Sequence, residues 1–333
     1  MRSRLLQASV AVPFVLFAIA CGSSSTNSGF GDGTGPGSSG DNASGGGNNL
    51  GSSGNTPPPE GSSECQKMDF VFVVDDSGSM GEEQSNLASN FPSFVKVLDE
   101  YKTKSGAKLD YRIAVTTTGR DVAYTIKPPI AGFPPMNQSE KGDNGAFRNT
   151  KSCNVTRRWI ERTDTKPADT FACLAKVGTK GPSVEMPLES LKLALNDRVA
   201  DGTNAGFLRD DALLAVVILS DEDDCSRKDN NFEIEDDSCD KVAQVPVADY
   251  ASMLDTVAKG KGRWATAVIA GAGPGKCTSS FGDAIEATRL RSFVGLAGKN
   301  GTFSSICEGD LTKSLKQALE TFDGACKSFP GPK

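Results

Sequence analysis

Histidine is absent from this chain of 333 residues. Ser-His-Asp and Cys-His catalysis both require an imidazole, so the absence excludes these mechanisms and argues against a zinc enzyme. The nine cysteines form no Cys-x-x-Cys pair, which argues against structural zinc and thioredoxin-like chemistry. The chain also lacks the Gly-x-x-x-x-Gly-Lys phosphate loop and the carboxylate-rich EF-hand loop. These absences exclude histidine-dependent nucleophilic catalysis, the phosphate-loop nucleotide-binding class and the EF-hand class.

Basic residues are outnumbered by acidic ones. The chain has 36 Lys and Arg against 42 Asp and Glu, a net charge of −6. Removing Arg2 and Arg4 with a leader leaves 34 against 42, a net charge of −8. An acidic surface argues against nucleic acid and anionic lipid headgroups as partners.

The amino-terminal segment is apolar but short. Residues 1–20 carry only Arg2 and Arg4 as charges, which predicts a secretory signal peptide rather than a membrane-spanning helix. The tetrad from Ala18 to Cys21 resembles a bacterial lipobox; the alternative is ordinary Ala-x-Ala cleavage at the same bond. Eight cysteines remain at or beyond Cys65, an even number, and this favours lipidation of Cys21.

The lipobox resemblance implies a location for the protein. Gly22 follows the cysteine where Asp would favour the inner membrane, so we expect an exported protein, lipid-anchored at the outer membrane or cell surface of a Gram-negative bacterium. Residues 21–63 combine the lipidated cysteine with a Gly, Ser and Asn-rich flexible linker. Residues 64–327 form the globular domain, and residues 328–333 a short tail.

Apolar runs alternate with helical patterns through the globular part. This alternation predicts an α/β fold with a doubly wound, mainly parallel sheet. Two long insertions, residues 119–181 and 221–245, each contain two cysteines and are expected to be disulfide-bonded. The predicted buried strands are Phe70–Val74, Tyr111–Thr116, Leu213–Leu219, Trp264–Ala270 and Thr302–Ile306.

The first strand is followed by three side chains with hard oxygen donors. Asp75, Ser77 and Ser79 stand at alternate positions on a predicted strand-to-helix turn, and a helix is expected from about Glu82. In an α/β fold such a turn lies at the carboxyl edge of the sheet, where ligands bind. Oxygen donors suit Mg²⁺, Mn²⁺ or Ca²⁺.

This pattern resembles the Asp-x-Ser-x-Ser element of the metal-ion-dependent adhesion site (MIDAS) in von Willebrand factor A (vWA) domains. The resemblance implies a Rossmann-like vWA fold and a divalent cation, Mg²⁺ first, with Mn²⁺ and Ca²⁺ as alternatives. It also implies a metal role for Asp221, which follows a buried strand; Glu222, Asp223 and Asp224 are expected to be a solvated turn. For the hydroxyl of the third loop we predict Thr179, with Ser183 as the alternative, although Ser183 could instead cap a helix.

A site of this kind uses neutral hydroxyls and few carboxylates, so its cation is under-neutralised. We therefore expect the partner to be a protein or surface ligand that offers a carboxylate. The predicted function is a cell-surface lipoprotein that binds its ligand through a divalent cation, in adhesion, surface attachment or motility, and not an enzyme. The alternatives are a structural or assembly protein of the envelope with a degenerate metal site and, more remotely, a metal-assisted hydrolase.

The eight cysteines beyond the linker are expected to form disulfides in an exported chain. The two cysteines within each insertion are close in the sequence and are expected to pair with each other. One further disulfide is expected to join the two ends of the domain. In integrin I domains, which belong to the vWA family, ligand binding is linked to axial movement of the last helix. In this protein, a disulfide next to the last helix is expected to restrain such a movement. The predicted pairs are Cys65–Cys326, Cys153–Cys173, Cys225–Cys239 and Cys277–Cys307.

Overall fold

The computed structural model describes residues 64–103, 106–127, 133–235, 239–279, 282–309 and 311–330. The predicted signal peptide, Cys21 and the linker lie outside the described residues. The described residues include eleven strands: β1 (Lys67–Val74), β2 (Asp110–Thr117), β3 (Val122–Ile126), β4 (Met136–Glu140), β5 (Ile160–Glu161), β6 (Leu213–Leu219), β7 (Asn231–Ile234), β8 (Trp264–Ala270), β9 (Cys277–Ser279), β10 (Gly282–Ala284) and β11 (Gly301–Ser305).

The central sheet has six strands in the order β11-β8-β6-β1-β2-β5. Its strands are parallel except for β5, which runs antiparallel to β2. Strand β1 lies inside the sheet between β6 and β2, so the order reverses direction along the chain at this strand. This is the doubly wound α/β arrangement that the sequence predicts.

Helices cover both faces of the sheet. The α-helices of the described residues are α1 (Gly81–Glu100), α2 (Pro167–Ala175), α3 (Pro187–Lys192), α4 (Arg198–Ala200), α5 (Cys239–Val242), α6 (Val247–Val257), α7 (Thr288–Ala297) and α8 (Leu311–Lys327). Helices α1, α2 and α8 cover one face and α3, α6 and α7 the other, whereas α5 packs against the small sheet described below. A π-helical turn, Leu193–Asp197, joins α3 to α4. Among the described residues, none of the helices combines the length and the apolar character needed to span a membrane.

The alternation of side chains along β1 divides the core into two layers. Phe70 and Phe72 belong to the layer that contains Phe94 and Phe322, whereas Val71 and Val73 belong to the layer on the opposite face. Both layers are buried, which is why β1 is a continuous apolar run. The ring of Phe70 contacts those of Phe94 and Phe322 edge-on, at centroid distances of 5.6 and 5.8 Å, and so ties β1 to α1 and α8.

The predicted strands are all present, with bounds that differ by at most a few residues. Parts of the two insertions form one small sheet in the order β4-β3-β7, which the sequence did not predict. The structure contains four disulfides in the predicted pairing: Cys65–Cys326, Cys153–Cys173, Cys225–Cys239 and Cys277–Cys307.

Candidate metal centre

Three neighbouring strands end at the same edge of the central sheet. Val74, the last residue of β1, pairs with Thr117 of β2 and with Leu219 of β6. The register therefore places Asp75, Thr118 and Ser220, the next residue of each strand, side by side. The carboxyl edge of the sheet thus brings one carboxylate and two hydroxyls together.

Asp75 is the centre of this group and is fully buried. Its Oδ1 accepts hydrogen bonds from the Ser77 amide at 2.9 Å and the Thr118 hydroxyl at 3.3 Å, and its Oδ2 accepts one from the Ser220 hydroxyl at 2.5 Å. Burial raises the pKa of Asp75, and these hydrogen bonds partly offset that effect. The side-chain amide of Gln84, on α1, donates to the Asp75 carbonyl at 2.7 Å and fixes the turn.

The other predicted ligands of the first two loops lie in the same place. The hydroxyl oxygens of Ser77 and Ser79 are 2.9 Å apart. Burial raises the pKa of Asp221, and this residue lies close enough for the Asp75 charge to raise that pKa further and for the Ser79 hydroxyl to lower it. The Asp221 carbonyl accepts a bond from the Ile285 amide at 2.9 Å, which holds the second loop in position. The structure therefore brings Asp75, Ser77, Ser79 and Asp221 together.

Several carboxyl oxygens around Asp75 are buried without a hydrogen-bond donor. They are Oδ1 of Asp76, Oε2 of Glu83, Oδ1 of Asp221 and both oxygens of Glu185. Burial first, and the Asp75 charge next, raise the pKa of Asp221 to about 8 and that of Asp76 to about 7. Buried carboxylates without donors are costly unless a positive charge compensates them. A divalent cation would supply that charge, so the donor set fits the predicted metal.

Carboxylates alone would not hold the ion. Among the described residues, no three aspartate, glutamate or cysteine side chains are arranged as a metal-binding group by themselves. The hydroxyls of Ser77 and Ser79 would therefore have to complete the coordination, and some carboxylates would act through water. This division of labour is the one that the MIDAS resemblance implies.

The third loop differs from the prediction. Thr179 and Ser183 are exposed, and the Ser183 amide and hydroxyl both donate to Glu140, each at 3.0 Å. The suggestion that Ser183 caps the helix is wrong, since α3 begins at Pro187 and has Met186 at its N-cap. The acidic residue of this loop, Glu185, is buried and only 1% exposed, and burial first and then the Asp75 charge raise its pKa. The sequence did not single out Glu185 as a site residue.

The acidic residues after Asp221 also differ from the prediction. Asp223 and Asp224 are buried rather than solvated. Asp223 Oδ1 accepts from the amides of Arg289 and Leu290 at the start of α7, both at 3.1 Å, and Asp224 forms an ion pair of 3.0 Å with Arg289. A run of acidic residues is predicted to be solvated because the sequence does not show which residues, distant along the chain, will pair with it in the fold.

Comparisons with known proteins give structural similarity only. No family model matches the chain, and no curated protein matches it significantly. Proximal thread matrix protein 1 from the mussel byssus is 15% identical with a TM-score of 0.41; the match covers 78% of this chain and 49% of the mussel chain. The present chain thus spans about half the length of the mussel protein.

Two other solved structures are similar at the same level. The manganese-loaded TRAP protein of Plasmodium vivax is 13% identical with a TM-score of 0.35, covering 77% of this chain and 74% of its own. The pilus adhesin SpaC of Lactobacillus rhamnosus GG, in its open conformation, is 10% identical with a TM-score of 0.37, covering 78% of this chain and 30% of its own. At such low identities and scores, the function of this chain has to be inferred from its own residues.

Proposed function

We propose that this protein is an exported, lipid-anchored binding module of the vWA type that binds a partner through a divalent cation. Asp75, Ser77, Ser79 and Asp221 hold the cation, and Cys21 carries the lipid. The observation that supports the proposal is the convergence of these four side chains at one sheet edge, together with buried carboxyl oxygens that lack donors. Hydroxyls and carboxylates in this arrangement bind a hard cation, which then presents a coordination position to an outside oxygen.

Isothermal titration calorimetry of the full chain with Mg²⁺, Mn²⁺ and Ca²⁺ tests the cation. We expect saturable binding by the wild-type protein and none by Asp75→Ala, because Asp75 lies at the centre of the donor set. Glu320→Ala is the matched control, since Glu320 is an exposed carboxylate on α8. An absence of binding to all three ions by a folded wild-type protein would refute the proposal and favour a structural role in the envelope.

A further inference from the structure

Glu185 is one of the buried carboxyl groups around Asp75, but it was not among the predicted metal ligands. Its side chain is 1% exposed, and neither of its carboxyl oxygens receives a hydrogen bond from a donor. Burial first, and then the nearby negative charges of Asp75 and Glu222, raise the pKa of Glu185. Buried carboxyl groups that lie near one another and lack donors are stabilised either by a proton or by a cation.

The position of Glu185 is fixed by the two loops that form the rest of the centre. Its carbonyl accepts a hydrogen bond of 2.9 Å from the Cys225 amide, in the loop after β6. The next residue, Met186, donates its amide to the Thr118 carbonyl at 3.2 Å, in the loop after β2. Since the Thr118 hydroxyl donates to Asp75, Glu185 and Asp75 are parts of one hydrogen-bonded framework.

We propose that Glu185, rather than Thr179 or Ser183, supplies the third-loop contact to the cation, directly or through water, and that the cation consequently takes a neutral oxygen ligand instead of a partner's carboxylate. This inference rests on the proposed function. The two predicted hydroxyl residues are exposed, and Ser183 is engaged by Glu140. A carboxylate therefore stands where the resemblance implies a neutral hydroxyl.

The net charge of the candidate site determines which type of oxygen a partner can offer to the cation. Asp75, Asp221 and Glu185 together carry more negative charge than one divalent cation carries positive charge, and Asp76 and Glu222 add to the excess. A carboxylate from a partner would meet repulsion from this excess, and like charges at an interface are costly. A hydroxyl or carbonyl oxygen carries no net charge and can occupy the open position without that penalty. This excess of negative charge therefore favours an uncharged oxygen ligand over the partner carboxylate expected from the sequence.

The first test is binding of the metal alone to the full chain, for wild type, Glu185→Gln and Glu185→Thr. We expect both variants to bind Mn²⁺ and Ca²⁺ about tenfold more weakly or worse, because ligand charge sets the affinity of such sites. Thr179→Val and Ser183→Ala are matched controls and should bind like wild type. In the absence of cation, Glu185→Gln should have a higher melting temperature, since it removes a repelled carboxylate. A residue with a purely structural role would not move affinity and cation-free stability in opposite directions.

The second test measures recruitment of a carboxylate. Water-proton relaxation by bound Mn²⁺ reports displacement of metal-bound water, with sodium acetate as the probe and sodium chloride at equal ionic strength as the control. Acetate should leave the wild-type signal unchanged and should lower the signal of Glu185→Thr.

The outcomes separate the two proposals. Wild-type protein that binds no cation refutes the proposed function itself. Wild-type protein that binds the cation, with Glu185→Gln at equal affinity or with a wild-type response to acetate, refutes this inference and leaves the proposed function standing.

Discussion

At the scale of single residues, the candidate metal centre contains buried carboxyl groups whose ionised forms are destabilised. Asp221 has its pKa raised from 3.8 to about 8, chiefly by burial and then by the charge of Asp75. Between these two values the unfolded chain has lost a proton that the folded protein keeps. The free energy of unfolding of the cation-free protein therefore falls as the pH rises through this range. A bound cation removes the cost because it stabilises the ionised form.

We therefore expect cation affinity to depend on pH. The cation binds the ionised carboxylates, so affinity should rise from about pH 6 to about pH 8 and then level off, with release of protons on binding. Calorimetry in buffers of different ionisation enthalpy measures both quantities. Affinity that is constant over this range, without proton release, would contradict the assignment of Asp221 to the site.

A second residue-scale prediction concerns the buried pair at the opposite end of β1. Asp69 is 1% exposed, and Arg209 binds its Oδ1 at 2.7 Å. Burial outweighs this partner and raises the pKa of Asp69 to about 6. Arg209→Met would leave the carboxylate uncompensated and should lower the free energy of unfolding by about 3–5 kcal/mol in urea denaturation. Lys67→Met, which removes the exposed Lys67–Asp211 pair, is the control and should cost at most about 1 kcal/mol.

Local patterns in the sequence predicted some of these residues and missed others. Asp75, Ser77 and Ser79 lie on one turn directly after a buried strand, so their convergence follows from sequence spacing. Glu185 was missed because its burial depends on the bond from Cys225 to Glu185 and the bond from Met186 to Thr118, and both partners are distant along the chain. Asp223 and Asp224 were judged solvated for the same reason, since Arg289 lies far from them in the sequence.

At the scale of elements, two loop disulfides offer a matched comparison. Cys225–Cys239 closes a short loop beside the metal centre, and the Cys225 amide holds the Glu185 carbonyl. Cys153–Cys173 closes a loop in the other insertion, beside α2. Replacing either pair by serine should lower the free energy of unfolding by about 3 kcal/mol, as loop-closure entropy predicts.

Only the replacement of Cys225–Cys239 should change the affinity of the protein for the cation. Loss of Cys225–Cys239 loosens the loop that positions Glu185 and Asp221, so cation affinity should fall in calorimetry. Loss of Cys153–Cys173 should leave it unchanged. Equal effects of the two replacements on cation affinity would show that the Cys225 loop has no special connection with the site.

Helix α8 is the second element with a specific expectation. The disulfide Cys65–Cys326 joins its last turn to the start of β1, the Cys65 amide donates to the Cys326 carbonyl at 3.0 Å, and the Tyr101 hydroxyl donates to Asp323 at 2.5 Å. We expect α8 to keep its axial position when the cation and a ligand bind. Double electron–electron resonance between spin labels on α1 and α8 measures this. A change near one helical turn, about 5.4 Å, would show that the restraint fails.

At the scale of the whole molecule, the proposed anchor can be tested separately from the metal. If Cys21 carries the lipid, the wild-type protein should fractionate with membranes, whereas Cys21→Ser should appear in the soluble exported fraction. Mass spectrometry of the mature amino terminus distinguishes lipidation from simple cleavage at the same bond. Membrane association of Cys21→Ser equal to that of the wild type would refute the anchor and leave the metal centre unaffected.

The place of β1 in the sheet has a mechanical consequence. This strand begins two residues after Cys65, ends at Val74 just before Asp75, and has hydrogen-bonded parallel neighbours along both sides. With the amino end anchored and a ligand held at the cation, a pulling force would run along the strand axis. The bonds to β2 and β6 would then be loaded in shear and would have to break together. Cys65–Cys326 would pass part of the load to α8, so the proposed anchor and the candidate metal centre would be joined by elements that resist extension.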